Sequence, residues 1–197
     1  MAVTAAVPAV LVLVRHGVAE GAGERCAGRV ADPGLTAEGR EQAAAAAARL
    51  GGEFDLVVSS PARRARETVA AWDLPVTLDD RLAERSFGEW EGRPWAELWA
   101  TVPAEVRTEP AAWAAFTPPG GEPLAEVAAR VRACACELTA TPGRRVLAVT
   151  HAGPLRLAVG FALDLPGDRA LGLGADHGNA AVLARWGDRW LVERLNA

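Results

Sequence analysis

Val10-Leu11-Val12-Leu13-Val14-Arg15-His16-Gly17 and Arg145-Val146-Leu147-Ala148-Val149-Thr150-His151 share one form: an apolar run that stops at a histidine. Neither run alternates apolar with polar residues, which is the pattern of a strand covered on both faces of a parallel sheet. A third run of the kind, over 54–59, stops at Ser59 and is followed by Ser60-Pro61, a helix-start pair with Ser at the cap and Pro in the first helical position. Helical stretches separate the runs. Thr36 caps an Ala-rich helix that Gly51-Gly52 close, a second helix should run from Pro61 to about residue 72, and Leu124, Val127, Val131, Cys134 and Leu138 recur at helical spacing over 122–138. Gly153-Pro154 opens another helix. A short strand at 76–78 and a final hairpin, 180–186 and 190–194 about Gly187-Asp188, complete the regular structure. Strands alternating with helices predict an α/β fold: a three-layer αβα sandwich with a mostly parallel central sheet. Residues 1–197 read as a single domain without internal repeats. Its Trp- and Pro-rich stretch at about 87–121 reads as a small cap insertion with short helical pieces at most.

Composition narrows the function. Half of the 197 residues are hydrophobic and 23% are charged, enough for a real core and too ordered a mixture for a disordered chain. A net charge of −4 without a basic stripe argues against nucleic acid as a partner. No apolar run approaches the ~20 residues of a membrane span. The apolar start, residues 1–14, lacks a basic region and a cleavage site and reads as a strand rather than a signal peptide, so the sequence predicts a cytoplasmic protein. Cys26, Cys134 and Cys136 fit neither a disulfide framework nor zinc spacing, and Cys134 reads as core. No carboxylate cluster with metal-ligand spacing flanks the histidines, so neither a metal nor a cofactor is expected. The sequence leaves room for a homo-oligomer.

All 21 basic residues are arginine, so one arginine carries little information, whereas the three histidines, His16, His151 and His177, carry a great deal. Ligands of parallel sheets bind at the carboxyl ends of strands. If the strands ending at His16 and His151 are neighbours, both imidazoles enter one crevice; either histidine alone would read as an ordinary strand end. Chance composition supplies about 0.03 copies of Arg15-His16-Gly17. Arg63, Arg64 and Arg66 crowd the start of a helix, where the macrodipole disfavours cations. Free helix N–H groups beside an arginine make an anion site, for which phosphate is the obvious occupant. Of the three, Arg63 and Arg66 read as solvent-facing and Arg64 as the anion ligand. His177, away from any motif, reads as surface or pocket rim.

Four ordered motifs over residues 10–156 carry a resemblance. Arg15-His16-Gly17 followed by Asp32-Pro33-Gly34-Leu35-Thr36 and Gly39 resembles the opening of the histidine phosphatases related to phosphoglycerate mutase. Ser59-Ser60-Pro61-Ala62-Arg63-Arg64 is similar to that family's second arginine motif. Leu82-Ala83-Glu84 with Phe87-Gly88 and Trp90-Glu91-Gly92 is similar to the segment bearing its acidic proton donor. Thr150-His151-Ala152-Gly153-Pro154 is similar to its second-histidine motif. The resemblance implies a phosphohistidine on His16, a clamp of Arg15, Arg64 and His151 on the phosphoryl oxygens, and Glu84 as proton donor. Spacing alone does not separate Glu84 from Glu89 or Glu91, and the plain alternative for Glu84 is a solvated carboxylate paired with Arg85.

Trp113 followed by Pro118-Pro119-Gly120-Gly121-Glu122 resembles the α-ribazole phosphatases, which implies α-ribazole 5'-phosphate as the small-molecule phosphate ester and a place in cobalamin biosynthesis. Val18-Ala19 after Gly17, and Pro123 after Gly-Gly-Glu, depart from the usual polar residues there. A phosphoglycerate mutase or sugar-phosphate (bis)phosphatase is the alternative enzyme, disfavoured by the short insert. A silent phosphoprotein-binding relative would typically lack one of the motif residues that are all present here. Four of the seven tryptophans, Trp90, Trp95, Trp99 and Trp113, fall in the insert, either as the core of a cap or as a stackable wall beside the phosphate site.

Overall fold

A computed structural model of the chain describes residues 7–197; residues 1–6 of the apolar start lie outside the described residues. In chain order the elements are β1 (Ala9–Arg15), α1 (Ala37–Leu50), β2 (Leu56–Ser59), α2 (Arg63–Val69), β3 (Thr77–Leu78), α3 (Trp95–Thr101), α4 (Ala104–Thr108), α5 (Pro110–Ala115), α6 (Leu124–Leu138), β4 (Arg145–Thr150), α7 (Ala152–Ala162), α8 (Gly167–Ala170), β5 (Ala180–Trp186) and β6 (Arg189–Arg194). They build one six-stranded sheet in the order β3-β2-β4-β1-β5-β6. The first four strands of that order are parallel, and β5 and β6 run antiparallel as the predicted hairpin.

Successive strand residues face opposite sides of a sheet, so an uninterrupted apolar run must be covered twice. Leu11, Leu13, Val146, Ala148, Ala181 and Leu183 pack on one side with Val127, Val131 and Leu138 of α6 and Leu155 and Val159 of α7. Val12, Val14, Leu147, Val149 and Val182 pack on the other with Ala46 and Leu50 of α1 and Ala65 and Val69 of α2. This is the expected three-layer αβα sandwich.

The crossover that matters is β4, which enters between β1 and β2. Its register sets Arg15 opposite Thr150 and Ser59 opposite Val149. Three chain segments therefore leave the sheet side by side at the carboxyl end of its strands, beginning with His16, His151 and Ser60. The condition attached to the two histidines in the sequence is met.

One expected detail differs. Ser60 is not the cap of α2, which begins at Arg63 with Ala62 in the cap position and no side-chain bond from it. Asp32, from the loop before α1, instead accepts a 2.6 Å hydrogen bond from the Arg63 N–H. The Ser60 hydroxyl turns toward His151, at 2.8 Å from Nε2. Thr36 does cap α1, accepting from the Gly39 N–H at 3.0 Å. Gly39 is needed for a second reason: a Cβ there would run into the carbonyl oxygen of Val18, and one on Gly17 would run into that of Gly39. The loop after His16 is thus pressed against the start of α1.

Residues 87–121 hold α3, α4 and α5, and build a cluster of their own around Trp90, Leu98, Val102 and Val106, sealed by Cys26 from the loop after β1. No helix among the described residues is long and apolar enough to cross a membrane.

Candidate active site

His16 is buried, and each of its ring nitrogens has a partner. Nδ1 lies 2.7 Å from the Gly17 carbonyl, which can only accept, so Nδ1 carries the proton. Nε2 accepts from the Arg64 Nε–H at 3.2 Å. The ring is therefore neutral, with its lone pair on Nε2. Burial, and then the charge of Arg64, hold His16 well below the ordinary imidazole range.

Arg64 is almost wholly buried at 2% exposure, whereas Arg63 and Arg66 face outward, as the sequence predicts for those two. Arg63 pairs with Glu67 at 2.6 Å, i to i+4 on α2. Arg64 reaches inward, with Nη2 on the Gly28 carbonyl at 3.0 Å. Arg15 directs Nη1 to the Ala175 carbonyl and Nη2 to His177 Nε2, at 2.6 and 2.7 Å.

His177 is the residue that sequence reading undervalued. Its ring centroid lies 5.5 Å from that of His16, and it receives a hydrogen bond from Arg15. It is only partly buried, and it belongs to the cluster. Burial and the neighbouring Arg15 push its pKa down to about 4, so it is a neutral acceptor at pH 7. Rarity was the available signal, because every other histidine of the chain is also here.

His151 is fully buried, its ring 5.0 Å from that of His16 and edge-on to it. Burial, and then its neighbours His16 and Arg64, hold it well below the ordinary range as well.

The three candidate carboxylates separate cleanly. Glu89 is exposed. Glu91 is consumed by structure: burial alone would raise its pKa, but N–H groups of Val30, Arg29 and Phe87 and the Ser86 hydroxyl pull it below the usual range. Glu84 alone stands over the start of α7, where a Cβ on Gly153 would strike its Oε1. Its charge acts on both Arg15 and Arg64. The alternative of a Glu84–Arg85 pair does not hold, since the Arg85 guanidinium binds the carbonyls of Glu122 and Phe116 at 2.7 and 2.6 Å.

Buried polar atoms of native proteins are nearly always paired. Five buried side-chain nitrogens among the described residues lack a partner, and three of them belong to this cluster: Arg15 Nε, Arg64 Nη1 and His151 Nδ1. Two guanidinium donors and an imidazole nitrogen around a neutral histidine suit an anion with several acceptor oxygens. Glu84, Ala152 and Gly153 also line a cleft of about 880 Å³, walled by Phe87, Trp95, Trp99 and Trp113 and bearing Arg107 and Arg169. Trp95, Trp99 and Trp113 pack against the Trp90 cluster and line the cleft as well. Trp90 is buried, while Trp95 and Trp99 stack on each other at 5.6 Å and remain partly open.

The model of the histidine phosphatase superfamily (branch 1) matches residues 11–197. A bifunctional protein of Mycobacterium tuberculosis is 38% identical over 165 residues, covering 80% of this chain; the chain spans 45% of that relative's length. The solved structure of mycobacterial glucosyl-3-phosphoglycerate phosphatase in complex with VO3 has a TM-score of 0.84 at 34% identity, covering 95% of this chain and 98% of that one. The α-ribazole phosphatase of Shigella flexneri has a TM-score of 0.83 at 26% identity, covering 95% and 96%.

Proposed function

The chain belongs to the histidine phosphatase superfamily, and we propose on that premise that it is a phosphomonoesterase working through a phosphohistidine on His16, with residues 87–121 as its cap. The observation that carries the reading is the neutral, buried His16 ringed by three unpartnered buried nitrogens. Phosphoryl transfer asks for an in-line nucleophile and for charge stabilisation on the equatorial oxygens. His16 Nε2 attacks phosphorus while the bond to the leaving oxygen breaks. Arg15, Arg64 and His151 donate to the three phosphoryl oxygens, and the Arg64 Nε–H exchanges His16 Nε2 for one of them. Glu84, entering the step in its protonated form beside the bound phosphate, gives that proton to the departing alkoxide and becomes a carboxylate. It then takes one from the water whose oxygen attacks phosphorus, which breaks the N–P bond and restores His16.

For the alcohol half of the ester, the Trp-lined cleft favours a ring. Base stacking on an aromatic side chain contributes about 1–3 kcal/mol, which suits the aromatic base of α-ribazole 5'-phosphate. A second reading, a glucosyl-3-phosphoglycerate phosphatase, is favoured by Arg107, Arg156 and Arg169 in the lining of the same cleft, cations for a carboxylate even with Glu109 and Asp168 among them. A sugar ring can lie on the same indole faces.

Rapid quench with a phosphate ester should trap an acid-labile, alkali-stable phosphoenzyme, and His16→Ala should lower turnover by at least 10³-fold, on the order of what loss of a nucleophile costs. A His16→Ala protein of near-native activity would remove the mechanism.

A further inference from the structure

Ser60 sits in the second arginine motif, yet the mechanism above gives it no task. Its side chain is fully buried, and its hydroxyl has two neighbours: the Ala62 N–H at 3.3 Å and His151 Nε2 at 2.8 Å. A serine hydroxyl owns one hydrogen to donate. The Ala62 N–H is itself a donor, so the hydroxyl accepts from it. His151 Nε2 is then the sole acceptor among the described residues for the Ser60 hydrogen, and a nitrogen that accepts carries no proton.

From this we infer that Ser60 is a positioning residue: its hydroxyl holds His151 as the Nδ1–H tautomer and so aims the ring's one proton at the phosphoryl site. The consequence matches the rest of the site. His151 Nδ1 is one of the buried nitrogens without a partner, in a ring 5.0 Å from His16. In the opposite tautomer the bare Nδ1 lone pair would face the oxygens of an anion, a repulsive contact in place of a hydrogen bond.

The sheet makes the arrangement rigid. Ser60 N–H donates to the Val149 carbonyl at 2.9 Å and His16 N–H to the Thr150 carbonyl at 3.0 Å, so β4 ties the serine, both histidines and their spacing into one ladder. The Ala62 N–H, left over at the start of α2, fixes the direction of the hydroxyl. The helix gives up Ser60 as its cap, takes Asp32 instead, and gains an oriented imidazole.

The inference rests on the phosphatase reading for its purpose but not for its test. In protein labelled with ¹⁵N-histidine at pH 7, His151 should show a protonated, pyrrole-type Nδ1 and a pyridine-type Nε2. With three histidines, His16→Asn and His177→Asn suffice for assignment. A pyridine-type Nδ1 in the native protein overturns the inference whatever the enzyme hydrolyses. In Ser60→Ala the tautomer preference should be lost, with kcat on p-nitrophenyl phosphate down about tenfold, the scale of one buried hydrogen bond. Vanadate affinity should weaken in step, and Ser60→Thr, which keeps the hydroxyl, should recover most of both. Full activity and vanadate affinity in Ser60→Ala would also overturn it. If the native protein hydrolyses no phosphate ester, the functional reading falls while the tautomer assignment is still read from the spectrum.

Discussion

At the scale of single residues, identity was easier to read than function. His16, His151 and Arg64 declare themselves by where they stand in the chain, at two strand ends and at a helix start that has too many cations. Glu84 does not, because what distinguishes it from Glu89 and Glu91 is which backbone groups surround each carboxylate. Glu91 is saturated by N–H donors, Glu89 is in solvent, and Glu84 is held against Gly153 beside the two guanidinium groups. That placement predicts a leaving-group signature. p-Nitrophenolate departs without a proton, whereas an alkoxide needs one. Glu84→Gln should therefore slow phosphoenzyme formation from an alkyl phosphate by about 10²-fold or more, the usual scale of general acid catalysis. Formation from p-nitrophenyl phosphate should change far less. Pre-steady-state quench with both esters measures this directly, and equal losses would take Glu84 out of the proton-donor role.

Elements divide by how local their causes are. The strands and α1 follow from hydrophobic runs, a Thr cap and terminating glycines, all within a few residues of one another. The start of α2 does not, since its cap comes from Asp32, on the far side of α1 in sequence. The contact of His177 with Arg15 eluded the sequence for the same reason: the loop after α8 is brought to Arg15 by tertiary packing, and no periodicity reports that. The cap is the intermediate case. Its tryptophans were visible as a cluster, and their four-residue spacing on α3 does stack Trp95 on Trp99. Whether they form core or wall was not decidable from spacing, and the geometry gives them both duties. A flat leaving group lying on Trp95 or Trp99 should gain about 1–3 kcal/mol. Trp95→Ala or Trp99→Ala should then lower kcat/KM for α-ribazole phosphate or a nucleotide by roughly 5- to 150-fold, by the same stacking energy. Turnover of p-nitrophenyl phosphate should be less affected. If 3-phosphoglycerate is the better substrate, or selectivity does not move, these rings are cap core alone.

The whole molecule carries an electrostatic cost for this site, and it should show in stability against pH. Three imidazoles are packed with the buried guanidinium of Arg64 and the half-buried one of Arg15. Burial first, and the arginines with it, depress all three: His16 and His151 well below the ordinary range, His177 to about 4. In the unfolded chain each would titrate near about 6.5. The sign follows from proton counts. Below that pH the unfolded chain takes up protons that the native protein refuses, so falling pH favours unfolding. Stability should be level above about pH 7.5 and decline as pH drops through about 6.5, with a slope of at most about 1.4 kcal/mol per pH unit for each of His16 and His151, the one-proton ceiling. His177 adds less because it is partly open to solvent. Glu91 and Glu122, whose folded pKa values are lowered, contribute in the same direction only below about 4.5, where unfolded carboxylates protonate. The window from pH 6.5 to 5 therefore isolates the histidines. Urea titrations across it should show a midpoint that falls with pH, and His177→Asn should make the fall shallower without removing it. A midpoint that stays flat from pH 7.5 to 5 would mean that the three imidazoles titrate as they do in solvent, and that His16 does not owe its neutral form to burial beside Arg64.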